Sequence, residues 1–337
     1  MELNSITLSD FVALAKTIWM KGQKSLVQHA RKSGLFVEDP VPQNSGNTRQ
    51  YSEIDLEEYA KVKGQSDQAA RARVQQGYNK TLTLYRVAVD IGISYEMRSQ
   101  NKYPEVVRRL TNLAGLGENR MDLDLTHRFT FGTATSYTDM DGRTVDTTVG
   151  DETLSLFNTA HTLRGSSTTF RNRLANNPQL SKGSLEGMER LIVEETYNQH
   201  GEKVTIPFDI LWTSDDPNTI NVAREYLQST AALDSGVNNG VVNVYKGKYR
   251  HVILPRLATN AAGGNNTDKR RYWGLASSMM SSAYLAVHET PRLKVPSSLN
   301  AGEEFATDDW NFGVRAGYGI AIVSGAWVKF SSGDGTA

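Results

Sequence analysis

The chain has 337 residues, of which 39% are hydrophobic and 22% charged, enough for a packed core in one large domain or two modest ones. Its 37 basic and 37 acidic side chains give a formal net charge of zero, whereas a protein whose main task is DNA binding usually carries a basic excess. The absence of cysteine excludes disulfides, thiolate metal sites and a cysteine nucleophile, and fits folding in a reducing cytoplasm. No apolar run of about 18 residues predicts a membrane span, and Asp10 and Lys16 interrupt the apolar positions that a secretory signal needs.

Residues 1–50 are predicted to form an N-terminal arm. Apolar side chains recur at helical spacing over residues 8–19, ending at Trp19, which predicts an amphipathic helix. The basic side chains that follow have no acid between them, and they are Lys16, Lys21, Lys24, Arg31 and Lys32. They form either a solvated basic face or an arm that packs on another molecule. Glycine, proline and asparagine over residues 34–50 predict a linker.

Residues 51–93 are predicted to form a long two-stranded β-hairpin. The outgoing limb runs over residues 51–62, the tip over residues 63–67, and a charged stretch leads to the return limb. The apolar register of that limb changes near Tyr85 and Arg86, which indicates a bulge or passage from an exposed ribbon into a core sheet. Because so polar a hairpin cannot be stable alone, we expect it to need a partner surface on this subunit or the next.

A long helix is predicted over residues 104–131. Pro104 suits its first position, Glu105 its first turn, and apolar residues then repeat about every 3.6 positions. Gly115 and Gly117 either kink this helix or let a neighbouring element approach closely. Residues 132–182 are rich in threonine, glycine, asparagine and serine, and are read as short strands and loops.

A second compact region is predicted from about residue 185 to residue 305. Ser184 is expected to cap a helix over residues 185–199, followed by a strand at 204–212 and a helix at about 218–229. A β pair is expected around the turn at Lys246 and Gly247, and an exposed loop at 263–266. Two final strands are predicted at residues 310–323 and 326–330.

Each constellation that could carry chemistry is incomplete. Asp139, Asp141 and Gly142 lack the remaining ligands of a calcium loop, so a plain turn is expected. Asp122, Asp124 and His127 do not complete a metal site, and a surface ion pair or a cap is expected. His161 has no nucleophile elbow in support, and Gly317 with Gly319 indicates a bulge or a close backbone contact. No catalytic residue, metal or cofactor is therefore predicted.

The order of the predicted elements indicates a fold more clearly than the incomplete catalytic and metal-binding motifs indicate a function. Arm, linker, exposed hairpin, long helix, compact α/β region and returning strand together resemble the α+β capsid fold of the Hong Kong 97 type. Several stretches also resemble the Mu-like major head subunit family of tailed phages. They are 156–161 (LFNTAH), 206–211 (IPFDIL), 252–257 (VILPRL), 272–275 (YWGL), 310–319 (WNFGVRAGYG) and 323–327 (VSGAW).

The resemblance implies a non-enzymatic shell protein. Residues 51–93 would be the extended loop, 94–184 a peripheral domain with spine helix 104–131, 185–305 the axial domain, and 306–337 C-terminal strands returning to both domains. It implies hexamers and pentamers in an icosahedral virion, assembled in the host cytoplasm with portal, scaffold and decoration proteins. Double-stranded DNA would be bound only by enclosure, and no membrane would be involved.

The resemblance also suggests which residues serve assembly. They are Trp19, Lys61, Lys63, Gly64, Asp67, Arg71 and Arg73, while the five basic side chains from Lys16 to Lys32 would face DNA. Two alternatives stay open: a bacterial nanocompartment shell that encloses enzymes, and a soluble hydrolase that uses His161 or the pair Asp139 and Asp141. Cargo protein instead of DNA would favour the first alternative, and an activity lost in His161→Ala the second.

Overall fold

The computed structural model describes residues 8–26, 28–42, 46–100, 102–230, 242–296 and 308–335, which form a mixed α+β fold. The helices are α1 (Leu8–Ser25), α2 (Tyr95–Ser99), α3 (Tyr103–Thr130), α4 (Lys182–Glu194) and α5 (Pro217–Gln228). The strands are β1 (Val37–Pro40), β2 (Thr48–Leu56), β3 (Val74–Thr83), β4 (Tyr85–Ile93), β5 (Ser136–Thr138), β6 (Thr144–Asp146), β7 (Ile210–Thr213), β8 (Arg250–Ile253), β9 (Trp273–Ala276), β10 (Ala283–Lys294), β11 (Trp310–Ile322) and β12 (Val328–Ser331). Within these ranges, no helix has the length and apolar content of a membrane span.

The first sheet has the strand order β1-β10-β11-β4 and carries the long helix α3. Phe11 on α1 packs edge to face on Trp310 of β11, with ring centroids 5.1 Å apart. Leu110 and Leu113 of α3 are buried in the same cluster, so α1 and α3 share one apolar core with β11. A side-chain carbon added at Gly22 would lie 2.6 Å from Ala114. Glycine at this position therefore lets α1 and α3 pack closely together.

The second sheet has the order β12-β9-β7-β8 and is covered by α4 and α5. Leu185 and Met188 of α4 and Leu227 of α5 are buried against Trp273 of β9. A central cluster joins the two sheets, because it contains Phe129 of α3, Trp212 of β7 and Phe330 of β12 together with buried residues of β10 and β11. The last two strands lie in different sheets, β11 in the first and β12 in the second.

Strands β2 and β3 form a separate two-stranded antiparallel ribbon. The ribbon ends at Thr83, and the chain passes at Leu84 into β4, which pairs with β11. The change of register predicted near Tyr85 is therefore passage into a core sheet. Residues 85–93, which the sequence groups with the hairpin, belong to the body of the molecule.

The long helix and α5 agree closely with the sequence, whereas other elements differ. Ser181 rather than Ser184 caps α4; Ser184 is the third residue of the helix and completes the capping box, so α4 begins and ends earlier than predicted. The segment 34–50, predicted as a linker, contains β1, which pairs in parallel with β10. Residues 43–45 of this segment lie outside the described residues. The β pair around Gly247 is wrong, because β8 pairs in parallel with β7 instead. The strand expected at 204–212 is confined to β7, since residues 204–209 form no strand.

Candidate assembly surface

The ribbon is anchored to the body by apolar packing at its base. Tyr51 of β2 stacks on Tyr284 of β10 with ring centroids 4.4 Å apart, and its hydroxyl donates to Asp39 at 2.6 Å. Leu82 is buried and packs onto Gly319 of β11, where an added side-chain carbon would lie 2.1 Å from it. Gly319 thus makes the close contact that was one of the two expectations for Gly317 and Gly319.

Farther out, the inner face of the ribbon rests on the turn after α4. Gln199 donates from its side-chain amide to Glu53 at 2.8 Å and from its backbone to Asp55 at 2.9 Å. Glu202 accepts from the backbone of Glu58 at 2.7 Å. Glu53, Asp55 and Glu58 border a cavity of about 310 Å³ that Trp327 also lines. Burial, followed by repulsion from Asp55, raises the pKa of Glu53 to about 7.

The distal part of the ribbon is an exposed loop. Every residue from 58 to 74 is exposed. Glu57 holds the neck of the loop, because its carboxylate accepts from Arg73 at 2.5 Å and from Lys61 at 3.3 Å. These bonds, with that to Arg73 first, lower the pKa of Glu57 to about 2.

Apolar side chains line the outer face of this ribbon and continue into its loop. Ile54 and Leu56 alternate with the inward carboxylates, and Val74 is the cross-strand partner of Leu56. Their exposed fractions are 67%, 58% and 63%, and Val62 in the loop is fully exposed at 103%. Tyr59 adds a ring that is 64% exposed. Apolar side chains so exposed on one polar ribbon are typical of an interaction surface.

We call these five residues, Ile54, Leu56, Tyr59, Val62 and Val74, the ribbon patch. The sequence reasoning missed it, because the outgoing limb was read as polar and irregular. The alternation of Ile54 and Leu56 with Glu53, Asp55 and Glu57 carries the signal. That pattern marks a strand with one acidic and one apolar face, although only the structure decides which face meets solvent.

The predicted assembly residues do not form one site. Lys61 and Arg73 bind Glu57 of the same chain, and Asp67 donates its backbone N–H to Gly64 in a turn at the tip. Lys63 and Arg71 are exposed in the same loop. Trp19 is separate: it is half-buried and packs on the apolar core that α1 shares with α3 and β11.

The basic residues of the arm separate into two groups. Lys16, Lys21 and Lys24 are exposed along α1, and Lys32 is exposed just after it. Arg31 instead forms ion pairs with Glu38 and Glu118, and its side chain is only 15% exposed. The exposed basic set is therefore four lysines, three of them spaced along one helix face.

Asp122, Asp124 and His127 are buried rather than superficial, so the predicted surface ion pair is wrong. Asp122 accepts from the backbone of Ala30 at 2.7 Å and pairs with Arg256. Asp124 pairs with Arg120 at 3.0 Å. His127 forms a hydrogen bond with Thr259, so these side chains tie α3 to surrounding elements. Burial lowers the pKa of the His127 imidazole to about 4. In the part of the chain that the structure describes, no group of three or more acidic or histidine side chains could hold a metal ion.

The remaining candidates for chemistry are also structural. The predicted turn is confirmed, because Asp139 accepts from the backbone of Asp141 at 3.0 Å and of Arg143 at 2.9 Å, and Gly142 has a φ of +77°. His161 is fully buried, with Nδ1 2.8 Å from Glu152 and Nε2 3.2 Å from the carbonyl oxygen of Leu156. Because both ring nitrogens are engaged inside the protein, His161 is not placed to act as a base on a substrate.

No protein-family model matches the sequence, and a search of curated proteins finds no significant match. Solved structures from several viruses are similar to this fold. A structure from Gordonia phage Cozz is 13% identical, with 91% of this chain and 87% of that chain covered and a TM-score of 0.48. The procapsid of bacteriophage JBD30 is 12% identical, with 97% and 76% covered and a TM-score of 0.41. A virus-like particle from Pyrococcus furiosus is 11% identical, with 94% and 96% covered and a TM-score of 0.46.

Proposed function

We propose that this chain is a major capsid protein of the tailed-phage class, with Hong Kong 97-type organisation similar to Mu-like head subunits. The observation that carries the proposal is the ribbon patch. A two-stranded ribbon has no core of its own, and here its outer face presents Ile54, Leu56 and Val74 to solvent. Burying that face against a second copy stabilises the ribbon and links two subunits at once.

In this proposal, the extended ribbon of one copy lies over its neighbour, and repeated contacts build hexamers and pentamers of an icosahedral shell. The spine helix α3 and the first sheet form the peripheral part, while α4, α5 and the second sheet form the axial part. Portal, scaffold and decoration proteins would complete the particle, which assembles in the host cytoplasm and becomes the virion shell. The chain's work is then self-association, without catalysis.

The proposed relation to DNA is enclosure. The formal net charge is zero, so the free subunit has no long-range attraction to the phosphate backbone. We assign DNA contact to the exposed lysines of α1 and to Lys32. Arg31 is left out because its charge is neutralised by Glu38 and Glu118.

The ribbon patch provides the test. Val62→Glu places a carboxylate within the proposed contact, where burial without a partner is costly. We expect the free chain to stay folded while particles, measured by light scattering and negative-stain microscopy, are lost or need at least about tenfold more protein, the equivalent of about 1.4 kcal/mol per contact.

The matched control is Gln68→Glu, which adds the same charge to the same exposed loop without removing an apolar side chain. It should assemble like the unaltered chain. Normal particles from Val62→Glu, or equal loss in both variants, would contradict an apolar intermolecular role. Particles that contain protein cargo and no nucleic acid, judged by the ratio of absorbance at 260 and 280 nm, would favour a nanocompartment shell over a phage head. The neutral net charge leaves room for that alternative.

A further inference from the structure

A second cavity, of about 360 Å³, lies where the inner part of the ribbon meets the end of α3 and the β5–β6 hairpin. Its charged lining comes from three elements: Lys80 on β3, Arg128 on α3, and Arg143 with Asp146 at β6. Hydroxyl groups of Thr83 and Thr144 add polar lining, and both residues are exposed at the mouth. Three cations thus face one carboxylate across the junction between ribbon and body.

Arg128 is the unusual member of this set. It is only 8% exposed, yet it forms no ion pair with any carboxylate in the described part of the chain. Its Nη1 donates to the backbone oxygen of Asp146, but its buried Nε has no hydrogen-bond partner among the described protein atoms. A buried guanidinium without a counter-charge is costly, and a buried donor without an acceptor adds to that cost.

The other charges of the cavity do not compensate Arg128. The only lining carboxylate, Asp146, is bound by Lys80 at 2.6 Å, and the same ammonium group also donates to Thr148. Arg143 is oriented by Asp139, 3.1 Å from its Nε, and its guanidinium lies 3.6 Å over the ring of Tyr85. That stacking holds the planar group in place, which is how arginine is fixed for oxyanion recognition.

We propose that this cavity binds a phosphate group, with Arg128 as the buried counter-charge and Arg143 as the second arginine at its rim. Phosphate oxygens accept hydrogen bonds from guanidinium N–H groups, and a bound phosphate supplies the negative charge that Arg128 lacks among the lining residues. Threonine hydroxyls at the mouth supply further donors. The phosphate is either free inorganic phosphate or a phosphodiester of nucleic acid, since both present the same oxygens.

Such a ligand would add a further link between the ribbon and the body, beside the bonds of Lys80 to Asp146 and Thr148. It would bridge β3 of the ribbon to α3 and β6 of the body, and so fix the direction in which the ribbon leaves the molecule. This proposal does not depend on shell formation, because the cavity lies within one chain.

The first experiment titrates the full chain with inorganic phosphate at constant ionic strength, with chloride as the compensating anion, by calorimetry and by thermal unfolding. We expect saturable binding and a rise in melting temperature. Arg128→Met keeps an unbranched apolar stem but removes the guanidinium charge, and should weaken phosphate binding at least tenfold. The control Arg190→Met removes an exposed arginine of α4, 77% exposed and outside the cavity, and should bind phosphate normally. Equal responses to phosphate and chloride, or unchanged binding by Arg128→Met, would overturn the proposal.

A second variant covers the case in which Arg128→Met does not fold. Thr83→Glu brings a carboxylate to the cavity, where it can pair with Arg128 in place of phosphate. We expect a higher melting temperature in phosphate-free buffer together with loss of the response to phosphate; an undiminished response and no stabilisation would count against the site.

Titration with a short DNA oligonucleotide separates the two sources. A response to DNA that Arg128→Met removes identifies a phosphodiester ligand, and a response to inorganic phosphate alone identifies the free ion. If neither phosphate source gives a response that depends on Arg128, the proposal fails.

Discussion

Lys329 on β12 illustrates how this chain uses charge inside its core. The side chain is fully buried, and its Nζ donates to the backbone oxygens of Arg171 and Glu195, each at 3.0 Å. Burial lowers the pKa of Lys329 to about 7, although the nearby Glu195 opposes the shift. The lysine thereby ties the last strand to the segments before and after α4, a cross-connection that an apolar residue could not make.

Replacing a helical glycine by alanine is expected to affect stability differently at two positions, Gly117 and Gly187. A side-chain carbon on Gly117 of α3 would lie 3.0 Å from Pro291 and 3.1 Å from Val314, whereas on Gly187 of α4 the nearest atom is 3.9 Å away. Alanine suits a helix better than glycine by about 0.5–1 kcal/mol, so Gly187→Ala should stabilise the protein by roughly that amount.

Gly117→Ala should lose that gain to crowding, and Gly117→Val should destabilise by about 1–3 kcal/mol. The measurement is the free energy of unfolding in urea. Equal stabilisation by alanine at both positions would show that α3 and the first sheet do not approach as closely as described.

The choice at Gly117 also shows a limit of sequence reasoning at this scale. A helical glycine predicts either a kink or a close contact, and both were left open. Pro291 and Val314, which decide the matter, lie more than 170 positions away in the sequence and reach Gly117 only through the fold. The same limit applies to Asp124, whose partners Tyr85 and Tyr318 place it in the core rather than at the surface.

At the scale of elements, local signals predicted helices better than they predicted strand pairing. The long helix α3 and α5 were predicted nearly to their ends because periodicity, proline and capping residues are all local. Strands β1 and β10 were missed, since β1 is four residues long with mostly exposed side chains, and Pro291 interrupts the pattern of β10. The ribbon was predicted from two limbs around a polar tip, although most of the alternation in the return limb lies in β4 of the first sheet. The outward direction of its apolar face was not predicted, because that depends on the turn after α4.

The inner face of the ribbon yields a pH-dependent prediction. Because the pKa of Glu53 is raised to about 7 in the folded chain, above the ordinary value of 4.5, the folded state holds this proton more tightly. The stability that Glu53 contributes is therefore complete below pH 4.5 and lost as the pH rises to about 7. Glu53→Gln keeps an oxygen that can accept from Gln199, and should stabilise by about 1–2 kcal/mol at pH 8 with little effect at pH 4, allowing for partial solvent screening.

Urea unfolding at pH 4, 5.5 and 8 measures this difference. Glu58→Gln serves as the control, since its side chain is exposed in the same ribbon and should change stability little at any of these values. A Glu53→Gln variant that is less stable than the parent at pH 8 would refute the burial of an ionisable carboxyl at the base of the ribbon.

The lysines of α1 lead to a prediction about DNA. Replacing Lys16, Lys21 and Lys24 by glutamine removes three exposed charges from one helix face. If these residues contact DNA, the slope of log K against log salt should become shallower by about 2.7, from roughly 0.9 per phosphate contact. The unaltered free chain should bind only weakly at physiological salt, as its zero net charge requires. The control is a triple variant of the exposed lysines Lys63, Lys203 and Lys246. Equal changes in slope in both variants would show that DNA binding depends on total charge and not on the lysines of α1.

At the scale of the whole molecule, the core is continuous through both sheets, whereas the distal ribbon lies outside it. The central apolar cluster contains residues of α3, β7, β10, β11 and β12, so the body should fold as one unit. The ribbon contributes Leu82 and Leu84 to a small satellite cluster at its base, and every residue from 58 to 74 is exposed. Stability and the proposed assembly therefore depend on different parts of the chain.

Deletion of residues 60–72 separates the two properties. It leaves Glu57, Glu58, Tyr59 and Arg73 between the paired residues Leu56 and Val74, a loop length common in hairpins. Because loop closure costs about (3/2)RT ln n, shortening the loop should leave stability unchanged or raise it by roughly 1 kcal/mol. Near-ultraviolet circular dichroism and urea unfolding should report a native body, while light scattering should detect subunits without particles. A body that unfolds would place core contacts in the loop, and normal particles would show that the loop with Val62 is not needed for assembly.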